Sequence, residues 1–260
     1  MASIKNSLKA KSTHSAGKNG HAKRIVSKKV GKRELEAFSK GQNYVDLMED
    51  ENHEHGQKMV TLMMQGKKAA KKEFFQRYGQ KAGEQGVDHS KTALVLIFAT
   101  DLNGEKELFP RDNLFRLLEG LTVLNVKIIV IDTQQPADLN NLGELAEHQA
   151  EQIVWYNPIQ DNSGQVKEEK EIDRLLLAAD LAILFNHHTD LIQLLKNYGV
   201  VMVADDKCPL LDNYKPNEEV GNAFLFNKKD LWSVFAAIVR ALETFRFPFD
   251  WQHIIKNMQK

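Results

Sequence analysis

The stretch LAILFNHHTDLIQLLKNYGVVMVAD, residues 181–205, decides the fold. Leu181 to Phe185 are apolar without interruption, and a polar turn with Asn186, His187 and His188 follows. Leu191, Ile192, Leu194 and Leu195 then recur at helical spacing before a second unbroken apolar run, Val200 to Ala204. A strand that is apolar at every position is covered on both faces, and a helix between two such strands is the crossover of a parallel pair. Polar groups gather just past each strand, at His187 and His188 after the first and at Asp205, Asp206, Lys207 and Cys208 at the end of the second. Ligands of open parallel sheets bind beyond the carboxyl ends of the strands. The unit therefore has the frame of a site.

The same alternation extends in both directions. ALVLIFAT (93–100), VKIIVID (126–132), QIVWY (152–156) and AFLF (223–226) read as further strands. Helices are predicted over 113–124, 142–148, 169–179 and 229–247, with a terminal segment WQHIIKNMQ at 251–259. Six strands interleaved with helices make a Rossmann-like, doubly wound parallel α/β sheet over residues 89–260. In front of it, KMVTLMMQGKKAAKKEFFQRYG (58–79) spaces Met59, Leu62, Met63, Ala70, Phe74 and Phe75 as one face of an amphipathic helix, with lysines assigned to the other face. Met59, Met63 and Met64 are expected to dock on the chain's own domain rather than to form a stripe for a partner. Residues 34–88 read as an acidic linker carrying this helix. Residues 1–33 hold ten Lys/Arg and no Asp/Glu, and their low apolar content predicts a disordered basic arm.

Net charge is zero over 260 residues, but outside the arm 25 basic residues face 35 acidic ones. The arm could contact a polyanion; it has no aromatic residue, so base stacking is not supported. The one cysteine excludes an internal disulfide and fits a reducing compartment. No apolar run reaches the roughly 20 residues of a membrane span, and the expected location is the cytoplasm, with organelle import by the basic amino terminus as the minor reading. The first strand is followed by TDLNGEKELFPRDN (100–113), with only Gly104, so a G-x-G-x-x-G dinucleotide loop is absent. So is G-x-x-x-x-G-K-[ST]. NAD, FAD and the usual NTPase chemistry are not expected.

Four stretches, in order, resemble the C-terminal, nucleotide-sugar-binding domain of bacterial glycogen synthases and plant starch synthases. GKKAAKKEFFQRYG (66–79) resembles the opening helix, and LIFATDLNGEK (96–106) the first strand and phosphate loop. LLLAADLAILFNHHTDLIQLLKNYGVVMVADDKCPLLDN (175–213) resembles the segment that carries the sugar- and nucleotide-binding motifs. GNAFLFNKKDLWSVFAAIVRALETFRFPFDWQHIIKNM (221–258) resembles the closing helices. The resemblance implies one half of a two-domain (GT-B type) glycosyltransferase, without the acceptor domain.

It also implies that the site is degenerate. Where the family holds phosphates with an Arg and a Lys, this chain has Asp101 and Lys106. Asn186 or His187, ahead of His188, falls near the family's reacting-sugar glutamate, and Leu194 falls where a second glutamate contacts the ribose. Cys208 and Pro209, after Asp206 and Lys207, replace a Gly-Gly whose amides approach the distal phosphate, while Asp212 is retained. An Arg-to-Asp change exchanges bidentate phosphate recognition for repulsion, and proline has no N–H to donate.

Other chemistry was weighed on the residues themselves. His187, His188, Asp205, Asp206 and Cys208 are all possible zinc ligands, but their spacing matches no compact ligand motif, and no metal is expected. Asp101, Glu105 and Asp132 could form an acidic metal–diphosphate site, although loop carboxylates more often face solvent. Cys208 beside a histidine lacks the relay of a thiol nucleophile.

The sequence thus predicts a non-catalytic relative of these synthases, with no cofactor and at most residual binding of an ADP- or UDP-sugar. Alternatives are a glycosyltransferase subunit completed by a second chain and an RNA- or ribosome-associated protein acting through its basic arm. Phe247, Phe249, Trp251, Ile254 and Ile255, which would face a missing domain, are expected to support self-association or capture of a protein partner.

Overall fold

Apolar runs of four to six residues set the register of everything else. The structure is a computed structural model that describes residues 53–78, 91–100, 102, 108, 110–133, 141–158, 169–185, 188–227 and 230–260. The basic arm, the acidic segment before residue 53, and Asp101, Glu105, Lys106, Asn186 and His187 lie outside the described residues.

Six strands form one sheet: β1 Ala93–Phe98, β2 Val126–Ile131, β3 Ile153–Tyr156, β4 Leu181–Leu184, β5 Val201–Asp205 and β6 Ala223–Phe226. Their order is β3-β2-β1-β4-β5-β6, and all neighbours are parallel. The chain winds outward from β1 in one direction and from β4 in the other, so the crevice between these two strands is the switch point of the sheet. Every residue of β1, β2, β4 and β5 is buried, as expected for strands covered on both faces.

Seven helices are described: α1 His53–Tyr78, α2 Arg111–Leu121, α3 Asn141–His148, α4 Glu169–Ala178, α5 Thr189–Asn197, α6 Leu231–Phe245 and α7 Pro248–Met258. Asp230 caps α6 by accepting from the Trp232 amide at 3.0 Å. Proline at the first position of α7 starts a new helix that takes in most of the terminal segment WQHIIKNMQ. α1 begins five residues earlier than the apolar spacing indicates.

α1 runs across the amino ends of the strands. Lys67 Nζ donates to the backbone carbonyls of Ala179 and, at 3.4 Å, Leu177. Lys71 Nζ lies 2.6 Å from Asp180 Oδ2, and Lys127 Nζ at the start of β2 donates to Tyr78 O at 3.3 Å. Lys67 and Lys71 therefore do not belong to a solvent face. They are 3% and 5% exposed, because the carbonyls that end α4 and the carboxylate before β4 take their ammonium groups as buried donors. Lys68 and Lys72 remain outside. Met59 and Met63 are buried against the domain itself, and Met64 is half-buried.

The expected orphan surface at the carboxyl end is smaller than its composition suggests. Trp251, Ile254, Ile255 and Met258 are buried, with α7 packed on α6 and α1. Phe245 and Trp251 meet edge to face at 5.2 Å. Only Phe247 and Phe249, at 58% and 63% exposure, stay open.

Gly199 links α5 to β5 with φ of +59°, and a Cβ there would lie 2.1 Å from Met63 Sδ. Gly199→Ala is expected to destabilise the fold by about 1–3 kcal/mol through left-handed strain and displacement of Met63, measured by urea denaturation.

Burial lowers the Lys67 pKa to about 8, against the opposing pull of Asp180. Between that value and 10.5, the folded state has released a proton that the unfolded chain keeps. Stability contributed by this group therefore rises with pH through that window. Relative to Lys67→Met, the wild type should gain about 2 kcal/mol between pH 8 and pH 10. A pH-independent difference between the two proteins would refute this.

Candidate active site at the strand carboxyl ends

Leu108 ties back to the end of β1. Ala99 N donates to Ile131 O at 2.9 Å, and Leu108 N donates to Ala99 O at 2.8 Å. Thr100 is buried, and its hydroxyl has no hydrogen-bond partner.

The carboxyl end of β2 carries a feature that sequence reading missed. Asp132, fully buried, forms a two-pronged ion pair with Arg111 at the start of α2: Nη1 meets Oδ2, and Nη2 lies 3.2 Å from Oδ1. Asp132 is therefore not the solvent-facing loop carboxylate that the sequence suggests, and its charge is matched inside the fold by a guanidinium. The pair is 21 residues apart in sequence, with no periodic signal to connect them. Only the placement of Arg111 directly after the first loop could have suggested it.

β4 and β5 are neighbours, with Leu184 opposite Ala204. They deliver His188 and the segment 205–212 to the same edge of the sheet. His188 takes an extended conformation as the cap residue of α5, makes no side-chain cap, and keeps a buried, unpartnered Nδ1. Leu194 sits half-buried on α5.

The turn after β5 closes on itself. Asp206 N donates to Phe226 O at 2.8 Å, Lys207 N to Asp205 Oδ1 at 3.0 Å, and Cys208 N to Asp205 O at 3.0 Å. Leu211 N donates to Cys208 O at 3.4 Å, and Asp212 N to Asn222 Oδ1 at 2.8 Å. Pro209 has no amide hydrogen. Five amides of this turn are thus committed internally, whereas a phosphate site needs amides that point outward together. Asp206, Lys207 and Asp212 are exposed. Cys208 is buried at 3% exposure, which removes it from the surface of the cleft.

Among the described residues, no group of three or more His, Cys, Asp and Glu side chains could hold a metal ion. None of the described helices is long and apolar enough to cross a membrane.

A parallel six-stranded sheet in this order, with its polar turns on one edge, defines a Rossmann-like domain. More particularly, it is the fold of a GT-B glycosyltransferase domain, consistent with the C-terminal one. The catalytic domain of starch synthase IV from Arabidopsis thaliana, bound to ADP and acarbose, superimposes with a TM-score of 0.54 at 14% identity. The match covers 76% of this chain and 39% of that one. An α,α-trehalose-phosphate synthase (UDP-forming) from Burkholderia xenovorans, in complex with glucose-6-phosphate, is 15% identical over 78% of this chain and 45% of its own, with a TM-score of 0.43. The C-terminal domain of a group 1 glycosyl transferase from Francisella tularensis is 15% identical over 70% of this chain and 94% of its own, also with a TM-score of 0.43. The chain therefore spans about two fifths of the starch synthase structure. No family model matches the sequence, and neither does any curated protein.

Arg111→Ala is expected to destabilise the protein by about 3 kcal/mol, since it removes a two-pronged counter-charge from a fully buried carboxylate. Arg111→Ala combined with Asp132→Asn should recover much of the loss in a thermal or denaturant double-mutant cycle. Additive losses would show that the pair is not coupled.

Proposed function

We propose that this chain is a non-catalytic glycogen/starch synthase-like domain that serves as a binding or scaffolding subunit, with weak or lost affinity for nucleotide sugars. The observation that carries the reading is the self-satisfied turn after β5. Its amides at Asp206, Lys207 and Cys208 bond inward, and Pro209 supplies none. A diphosphate there would meet a closed backbone rather than a cradle of donors. Asp101, standing at the family's phosphate-binding arginine, adds a repulsive charge by sequence. Loss of a single charge contact to a developing transition state typically costs on the order of a hundredfold in rate, and more than one is missing.

A subunit of this kind acts by what it holds. Phe247 and Phe249, at the start of α7, are the apolar groups left open at the carboxyl end, and they are where a protein partner or a second copy would dock. The compartment that fits is the cytoplasm.

Calorimetry against ADP-glucose, UDP-glucose and maltooligosaccharides tests the proposal directly. The wild type should show no saturable binding of either nucleotide sugar at micromolar concentration, and no glucosyl transfer to glycogen. Asp101→Arg with Cys208→Gly and Pro209→Gly should raise affinity for ADP or UDP at least tenfold, by returning a guanidinium clamp and flexible backbone donors. Micromolar binding by the unmodified chain, or transfer above background, would refute the reading.

A further inference from the structure

At the opposite edge of the sheet from the crevice lies a pocket of about 960 Å³. Ala93 at the start of β1, Asn125 before β2 and Asp180 before β4 reach it from the amino ends of the strands. Thr61, Met64, Gln65 and Lys68 line it from one stripe of α1, at three- and four-residue spacing. Leu124, Val239, Leu242, Phe245 and Trp251 give it apolar walls. Its volume lies in the upper part of the range for small-molecule sites, which are apolar with a few convergent polar groups.

Its charge is one-sided. Five basic side chains line it, Lys67, Lys68, Lys71, Lys91 and Arg246, against two acidic ones, Asp180 and Glu243. Both acids are already matched. Lys71 Nζ lies 2.6 Å from Asp180, with the Phe245 ring centroid 4.9 Å from the same ammonium, and Arg246 Nη1 lies 3.1 Å from Glu243. Three lysines therefore remain without a carboxylate partner among the described residues. Lys67 is the built one: 3% exposed, it is fixed on the carbonyls of Ala179 and Leu177. Its pKa of about 8 still leaves it charged at neutral pH. Lys68 and Lys91 are exposed at the rim.

We propose that this pocket binds an organic phosphate monoester, with the dianionic phosphate among Lys67, Lys68 and Lys91 and a ring or apolar body against Leu242, Phe245 and Trp251. Three ammonium groups with no ion-pair partner of their own among the described residues suit a dianion better than a single carboxylate. A partly desolvated site strengthens that attraction over its value in water. The apolar walls argue against a bare inorganic ion, which would leave them uncovered. The site is independent of the nucleotide-sugar crevice and of the function proposed for it.

The experiment is calorimetric titration of the full chain with 1-naphthyl phosphate, with 1-naphthol and inorganic phosphate as controls. One saturable site is expected for 1-naphthyl phosphate, with both controls at least tenfold weaker. Lys68→Gln combined with Lys91→Gln should weaken 1-naphthyl phosphate at least tenfold without changing the thermal midpoint, because both side chains are exposed. Absence of saturable binding overturns the proposal. So does equal affinity for 1-naphthol, which would mark a purely apolar groove, or equal affinity for inorganic phosphate. Binding that survives the double substitution, or that ADP displaces, would place the ligand elsewhere and equally overturn it. Charge-dependent capture by phosphatidylserine vesicles, with no response to 1-naphthyl phosphate, would assign this face to a membrane surface instead.

Discussion

Asp180 is the point on which the architecture turns. Its carboxylate Oδ2 accepts from Lys71 Nζ at 2.6 Å and from the Leu94 amide at 2.8 Å. Its own amide donates to Leu94 O at 2.9 Å, and its carbonyl accepts from Val201 N at 3.1 Å. One residue thus joins α1, β1, β4 and β5 at the amino edge of the sheet. Taking both charges of the Lys71–Asp180 pair out of water is costly, and the pair is tolerable only because other hydrogen bonds complete it. The return is positional. It fixes β1 beside β4, creates the switch point, and holds α1 as part of the α/β body. The amino edge is thereby covered by a helix, whereas the carboxyl edge carries the polar turns.

Fold and site were unequally legible in the sequence. Strands such as Leu181–Leu184 and Val126–Ile131 announce themselves because burial on both faces demands unbroken apolar runs. The docking face of α1 was visible for the same reason, in Met59, Met63, Phe74 and Phe75. What periodicity could not reveal is which polar residues go inside. Lys67 and Lys71 look like any solvent-facing lysines of a basic helix, and their burial depends on acceptors more than a hundred residues away. Arg111 with Asp132 is the same case at the other edge.

The candidate site was legible as a location more than as a chemistry. His188 and the turn 205–212 emerge at neighbouring strand ends, as the alternation of strand and helix requires. Whether that turn can receive a phosphate depends on where each amide points, and one-dimensional spacing carries no such information. Asp205 shows the difference: at the last position of β5, its carboxylate accepts from the Lys207 amide and its carbonyl from the Cys208 amide. Only Pro209 signalled this in advance, because a missing donor can be read from identity alone.

The Asp180 cluster also bears on how the chain reaches this structure. The Leu94–Asp180 bond closes a separation of 86 residues, and Lys71–Asp180 one of 109. Closing loops of that length costs chain entropy before any contact offsets it, and parallel sheets are slow to assemble for this reason. α3, α4 and β3 all lie between the partners in sequence. Lys71 can meet Asp180 only when the loop between them has closed. Until then the methionine face of α1 is bare, and crowding among nascent chains is most hazardous in that interval.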